Sequence, residues 1–224
     1  MKLKYEISEE IKKLGINKIA VAEIYDVSIK KSNDNLEKIK EEAVNKILKL
    51  SDESINTNEI LESYRELVRN ISRSLKKFPP AAESLINLTR RNGKLPQINT
   101  AVDSYNVVVL EKYLALGVHD IDKLGSKITF KLSEGNEPFI AVGSDKEKFS
   151  QKGDFVYSDE NQVLAWLDSK DSDKVKLSES SKNIVIIIQG THITNIDYTI
   201  EVVKIAAEII VKFCGGRYET KIIE

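Results

Sequence analysis

Residues 93–122 read GKLPQINTAVDSYNVVVLEKYLALGVHDID, and their pattern decides how the rest of the chain is understood. Gly93 and Pro96 punctuate a turn. A helix is expected from Ile98 to Ala115, and most of it is apolar. Within it Asn99, Asp103 and Asn106 recur at i, i+4 and i+7, which sets them on one helix face. Polar groups among Val102, Val107, Val108, Val109 and Leu110 must find hydrogen-bond partners or line a wet pocket. His119 follows in the acidic segment GVHDID, which reads as a loop.

Upstream, Phe78-Pro79-Pro80 breaks the chain, and Ala81 to Arg91 reads as a short helix with Pro80 at its first turn. Arg90, Arg91 and Lys94 gather around Gly93 at its end. Cations there suit the negative pole of a helix, and they also suit phosphate oxygens. Nearer the start, Lys2 to Ile7 alternates as a short strand, Ser8-Glu9-Glu10 opens a helix that Gly15 stops, and the β-branched stretch 16–29 reads as a strand. Two amphipathic helices come next. One carries Leu36, Ile39, Ala43, Val44, Ile47 and Leu48 behind Asn33-Asp34-Asn35. The other starts near Thr57-Asn58 and sets Leu61, Tyr64, Leu67, Val68, Ile71 and Leu75 on one side.

Downstream, strands are expected at Lys127–Leu132, Phe139–Val142, Phe155–Tyr157, Val163–Trp166 and Asn183–Gln189, between turns rich in Gly, Asp and Asn. The run Ile184 to Ile188 is apolar on both faces, the mark of a central strand covered on both sides. Thr194-Asn195 caps a last helix, Ile196 to Phe213, which Gly215-Gly216 stops. The expected fold class is α+β, with central β-sheets flanked by helices. No linker divides the chain, so residues 1–224 are expected to form one domain, with 1–77 as an N-terminal extension packed on 78–224.

Composition bounds the function. At 41% apolar residues the chain can build a real core. The net charge of −1 gives no global electrostatic case for nucleic acid, so any RNA contact must be local. Cys214 stands alone, which leaves no intrachain disulfide and no cysteine cluster for zinc and fits a reducing, cytoplasmic setting. The opening MKLKYEISEE has no apolar run of the kind a signal peptide needs, and no membrane span is expected. Lysine and glutamate dominate the charged residues, an archaeal, thermophile-like profile. An AT-rich genome explains the same bias.

No serine sits in a nucleophile elbow, no glycine loop cradles phosphate, and no metal-ligand spacing is present, so neither metal nor cofactor is expected. His119 beside Asp120 and Asp122 is a poor metal cluster. Its imidazole suits a general base or a donor near neutral pH.

These residues also carry a resemblance. Leu95-Pro96, Ile98-Asn99, Val102-Asp103, Asn106 and Asp122 resemble the pattern of the tRNA-binding and editing domain (B3/B4) of the phenylalanyl-tRNA synthetase β subunit, and more closely that of its freestanding relatives. Val118-His119-Asp120-Ile121-Asp122 is similar to the synthetases' loop in its His and its final Asp. The segment WLDSKDS, Trp166 to Ser172, resembles a Trp-rich element of the freestanding relatives that ends in a polar pair, here Asp171-Ser172. Two departures stand out. No glycine lies between Asp154 and Ile188, so the synthetases' Gly-rich loop against the misattached amino acid has no counterpart. Gln189 stands where many synthetases carry a glutamate, and Gln orients a water without taking its proton.

The resemblance implies a domain that hydrolyses mischarged aminoacyl-tRNA in trans, without cofactor and without aminoacylating tRNA. Its partners would be the tRNA acceptor end and an amino acid, not DNA or membrane. In that reading His119 and Gln189 position the attacking water and Asn99 binds the carbonyl oxygen. Asp103 grips the α-amino group, Asn106, Asp171 and Ser172 complete the substrate set, and Arg90, Arg91 and Lys94 hold tRNA. Asn99, His119 and Gln189 are then expected to line one cavity large enough for an amino acid. The alternative is a non-catalytic module that binds tRNA or an amino acid in a repurposed pocket.

Overall fold

Residues 3–224 are described by a computed structural model. Met1 and Lys2, and with them the beginning of the first expected strand, lie outside the described residues. The chain runs β1 (Lys4–Ile7), α1 (Glu9–Lys13), β2 (Ile19–Tyr25), α2 (Asp34–Leu48), α3 (Asp52–Asn56), α4 (Glu59–Asn70), α5 (Ala81–Asn92) and α6 (Thr100–Lys112). It continues through β3 (Gly117–Asp120), β4 (Lys127–Leu132), β5 (Pro138–Ile140), β6 (Glu147–Phe149), β7 (Phe155–Ser158), β8 (Val163–Trp166) and β9 (Lys170–Asp171). It closes with β10 (Ile184–Ile188), α7 (Ile196–Cys214) and β11 (Arg217–Ile223). The fold is α+β.

Local chemistry sets the helix starts. Ser8, Asn33, Asn58 and Asn195 each turn a side-chain oxygen onto a backbone N–H of the first helical turn. Helix α6 is shorter than its apolar run, because Tyr113 adopts φ 60° and ends it. Residues 117–120, expected as a loop, are instead a strand, paired antiparallel with β10. The sequence pattern also misses α3 and the last strand, β11. The reversal into β11 needs glycine: a Cβ on Gly216 (φ 93°) would lie 2.3 Å from the Tyr25 carbonyl oxygen.

Two sheets form the centre. One has the order β11-β2-β10-β3, and β10 is antiparallel to both of its neighbours. The other has the order β1-β4-β7-β8-β9, with β1 parallel to β4 and the remaining pairs antiparallel. Strands β5 and β6 make a separate hairpin. The first 77 residues are woven into both sheets: β1 edges the five-stranded one and β2 lies inside the four-stranded one.

The apolar strand β10 explains the layering. Ile184, Ile186 and Ile188 face a cluster with Val102, Val107, Val203 and Ala207 of helices α6 and α7. Val185 and Ile187 face the opposite cluster with Ile128, Phe130 and Val156 of the five-stranded sheet. The four-stranded sheet is thus covered by helices on one side and by a second sheet on the other, as its two-faced apolar sequence requires. His119 pairs with Val185 and so points into the space between the sheets.

Candidate functional site

An open cleft of about 290 Å³ lies where α5, α6 and the β8–β9 hairpin meet; Ser84, Tyr105, Asn106, Leu116, Ser169 and Asp171 are among its walls. A recess of about 70 Å³ continues from it past Gly117, Tyr157, Asp168 and Lys170, sharing Ser169 and Asp171 with the mouth. A larger and shallower groove of about 440 Å³ runs past Glu37, Lys40 and Lys94. Of the two, the cleft is the better candidate, because two carboxyls, an amide and a tyrosine hydroxyl converge there on apolar walls.

The hairpin that delivers the carboxyls is held from several sides. The Trp166 indole donates to Asp154 (2.9 Å), which also accepts from the Arg73 guanidinium, and the Trp166 ring packs against Phe78 and Phe139. Ser169 N–H donates to the Trp166 carbonyl at 3.1 Å, closing a tight turn. Its two central residues, Leu167 (φ 57°) and Asp168 (φ 45°), are both left-handed without being glycine, a strain that the surrounding packing must hold. The first N–H of α5, on Ala81, donates to the Asp168 carbonyl at 2.8 Å and docks the positive end of that helix on the turn.

Burial raises both carboxyls. Asp171 is pushed up to about 7 by loss of water, against the pull of the nearby Val118 N–H. Asp168 is pushed well above the usual carboxylate range, first by desolvation and then by the charge of Asp171. The Tyr157 hydroxyl also rises well above its ordinary value, chiefly from burial, so it remains a phenol. Lys170 is lowered, first by burial and then by Lys148, and its ammonium sits 5.9 Å from the Phe78 ring centroid. The cleft therefore favours a cation that supplies the missing countercharge.

The residues singled out in the sequence are distributed as follows. Asn106 and Asp171 line the cleft. Ser172, next to Asp171, is buried, and its N–H donates to the Leu164 carbonyl at 2.9 Å. Asn99 is buried as the N-cap of α6, accepting from Val102 N–H at 3.0 Å. Asp103 is fully buried; it accepts from the Lys40 ammonium (2.8 Å) and from Ile98 N–H (3.0 Å), and its carboxyl is raised, chiefly by desolvation. His119 is fully buried, its Nε2 2.9 Å from the Tyr157 hydroxyl, and burial pushes the imidazole down to about 3. Gln189 is buried, and neither atom of its amide has a partner among the described residues.

None of Asn99, His119 and Gln189 lines the cleft or its recess. The shared helix face of Asn99, Asp103 and Asn106 is split by packing: a cap, a buried ion pair and a cleft wall. Arg90 pairs with Asp52 at 2.6 Å and reaches the Leu50 carbonyl, whereas Arg91 and Lys94 are exposed. Sequence reasoning missed Asp168, Tyr157, Gly117 and Tyr105. The Asp168–Asp171 spacing within WLDSKDS was the one available signal; the others reach the cleft only through the packing of distant elements.

Among the described residues, no three His, Cys, Asp or Glu side chains are grouped to hold a metal ion, and no helix is long and apolar enough to cross a membrane. Among curated proteins, none matches the chain. Of solved structures, an N-terminal fragment of the phenylalanyl-tRNA synthetase β subunit from Pyrococcus horikoshii is similar at 13% identity and a TM-score of 0.49, over 97% of this chain and 50% of that one. This chain thus spans about half the length of that fragment. The sequence pattern of the B3/4 domain matches residues 63–217, a span that holds α5, α6 and the β8–β9 hairpin, and so the chain belongs to the B3/4 domain family.

Proposed function

We propose that this chain acts on mischarged aminoacyl-tRNA in trans, hydrolysing the ester between an amino acid and the terminal ribose. The observation that carries the reading is the pair Asp168 and Asp171, two desolvated carboxyls that the β8–β9 hairpin brings into one recess of a B3/4 domain. An α-ammonium group entering the recess offsets the repulsion and desolvation that disfavour the Asp168 carboxylate, and so is held there as a charge-assisted pair. Asp171, with a pKa of about 7, suits a general base that takes a proton from the attacking water near neutral pH. This replaces the role that the sequence reading gave to Gln189. In this reading the acceptor end enters at the cleft mouth, where Asn106 in the wall serves ribose or carbonyl contacts.

Incubation with a panel of misacylated tRNAs tests the reading. Cleavage should rise as pH increases through about 7, because the working form of Asp171 is the carboxylate. Asp171→Asn should lower the rate about 10²–10⁴-fold and remove that rise. An unchanged rate in Asp171→Asn overturns the assignment of the base.

Binding without cleavage is a second reading. It is favoured by the burial of Gln189 where synthetases carry glutamate, and by the missing Gly-rich loop. Retention of misacylated tRNA with the ester intact across the whole panel would establish it.

A further inference from the structure

His119 is a fully buried titratable group near the cleft, and the mechanism above does not use it. Its imidazole is shielded from the cleft, and the group it touches is the Tyr157 hydroxyl, which lines the recess. The room for that hydroxyl is made by Gly117, two residues before His119 on the same strand: a Cβ there would lie 1.8 Å from the tyrosine oxygen. The tautomer follows from what surrounds the other ring nitrogen. His119 Nδ1 is buried and has no partner among the described residues. Either tautomer leaves one donor without an acceptor among the described residues, Nδ1–H or the Tyr157 O–H. Nδ1 is sealed away from the recess, whereas the tyrosine lines it and can give its proton to water or a ligand, so an orphan on Nδ1 costs more. The proton therefore sits on Nε2 and is donated to the Tyr157 oxygen. The hydroxyl proton of Tyr157 is then not spent on His119, and the described residues offer it no acceptor within hydrogen-bond distance.

We propose that the Tyr157 hydroxyl donates this hydrogen bond to the ester carbonyl oxygen of the bound aminoacyl group, with His119 as the positioning residue that keeps the proton free. This rests on the hydrolase reading above. As water oxygen bonds to the carbonyl carbon, its proton passes to Asp171 and negative charge gathers on the carbonyl oxygen, facing the phenol. When the C–O bond to the ribose breaks, the ribose oxygen leaves with the proton returned from Asp171. Tyr157 keeps its own proton throughout, as its raised pKa requires. A preorganised donor of this kind acts on the charge that develops in the transition state more than on the ground state.

Two measurements test the proposal. Nitrogen-15 shifts of the His119 ring at neutral pH, taken without substrate, should show the proton on Nε2. With a tRNA that the wild type deacylates, Tyr157→Phe should lower kcat about 10²–10³-fold with KM little changed. His119→Gln, which can present an N–H near the Nε2 position, should keep more activity than His119→Ala. A proton on Nδ1, or a Tyr157→Phe variant with wild-type kcat, overturns the proposal. If the wild type cleaves no ester in the panel, the hydrolase reading falls and this inference with it; the tautomer, read without substrate, separates that failure from failure of the tyrosine assignment alone.

Discussion

His119 Nε2 and the Tyr157 hydroxyl meet 2.9 Å apart across the space between the two sheets, one on β3 and the other on β7. The rings stand edge to face, with centroids 5.5 Å apart. The pair joins the two sheets by a polar contact beside their apolar cluster, as Tyr5 and Glu23 also do at 2.8 Å, and it ties the candidate cleft to the stability of the fold.

The first prediction concerns acid. Burial holds the His119 imidazole at about 3, against 6.5 for a free one. Between those values the unfolded chain binds a proton that the folded chain refuses, so stability falls as pH falls through that window. The wild type should lose about 1.4 kcal/mol more per pH unit than His119→Gln over this range. Urea unfolding of both proteins from pH 7 to pH 4 measures the difference.

Gly117→Ala should displace the Tyr157 hydroxyl, since the new methyl meets the tyrosine oxygen at 1.8 Å. Overpacking of this kind costs about 1–3 kcal/mol. Adding Tyr157→Phe removes the clashing oxygen. The double variant should therefore be more stable than Gly117→Ala alone, and chemical denaturation of the four proteins in this cycle gives the coupling.

Asp103 is held by Lys40 and by Ile98 N–H in a fully buried setting. Asp103→Ala leaves the Lys40 ammonium buried with only the half-exposed Glu37 beside it, and should cost about 3–5 kcal/mol of stability. Thermal unfolding checks this. Below the unfolding transition, deacylation should persist, because Asp103 does not line the cleft.

The basic cluster after α5 should behave unevenly. Arg90 is engaged with Asp52 and the Leu50 carbonyl, while Arg91 and Lys94 are exposed. Arg91→Ala and Lys94→Ala should each weaken tRNA binding and lower the salt slope by about 1, and Arg90→Ala should change it less. Filter binding at several salt concentrations reads the slopes.

Much of the fold is set by residues whose signals are local. Caps at Ser8, Asn33, Asn58 and Asn195 start helices where side-chain oxygens reach free N–H groups. The two-faced apolar run Ile184 to Ile188 requires a covered central strand, and it is one. The motif stretch 93–122 likewise carried the family, because Leu-Pro, Ile-Asn and Val-Asp at fixed spacing survive as text. The α+β class and the B3/4 family are therefore properties of the sequence by itself.

The site is a different matter. Helical spacing put Asn99, Asp103 and Asn106 on one face, but it could not say that Lys40, 63 residues from Asp103, would claim the carboxylate. His119 reads as a loop residue until β10 pairs with its strand and turns the ring between the sheets. Gly117 and Tyr157 are 40 positions apart, and only the stacking of one sheet on another brings a hydroxyl into the space a side chain would fill. Periodicity and capping act over a few residues and can be read from the chain. Which polar group is buried, which is paired and which is left facing a cleft depends on contacts between distant segments, and only the tertiary structure decides it.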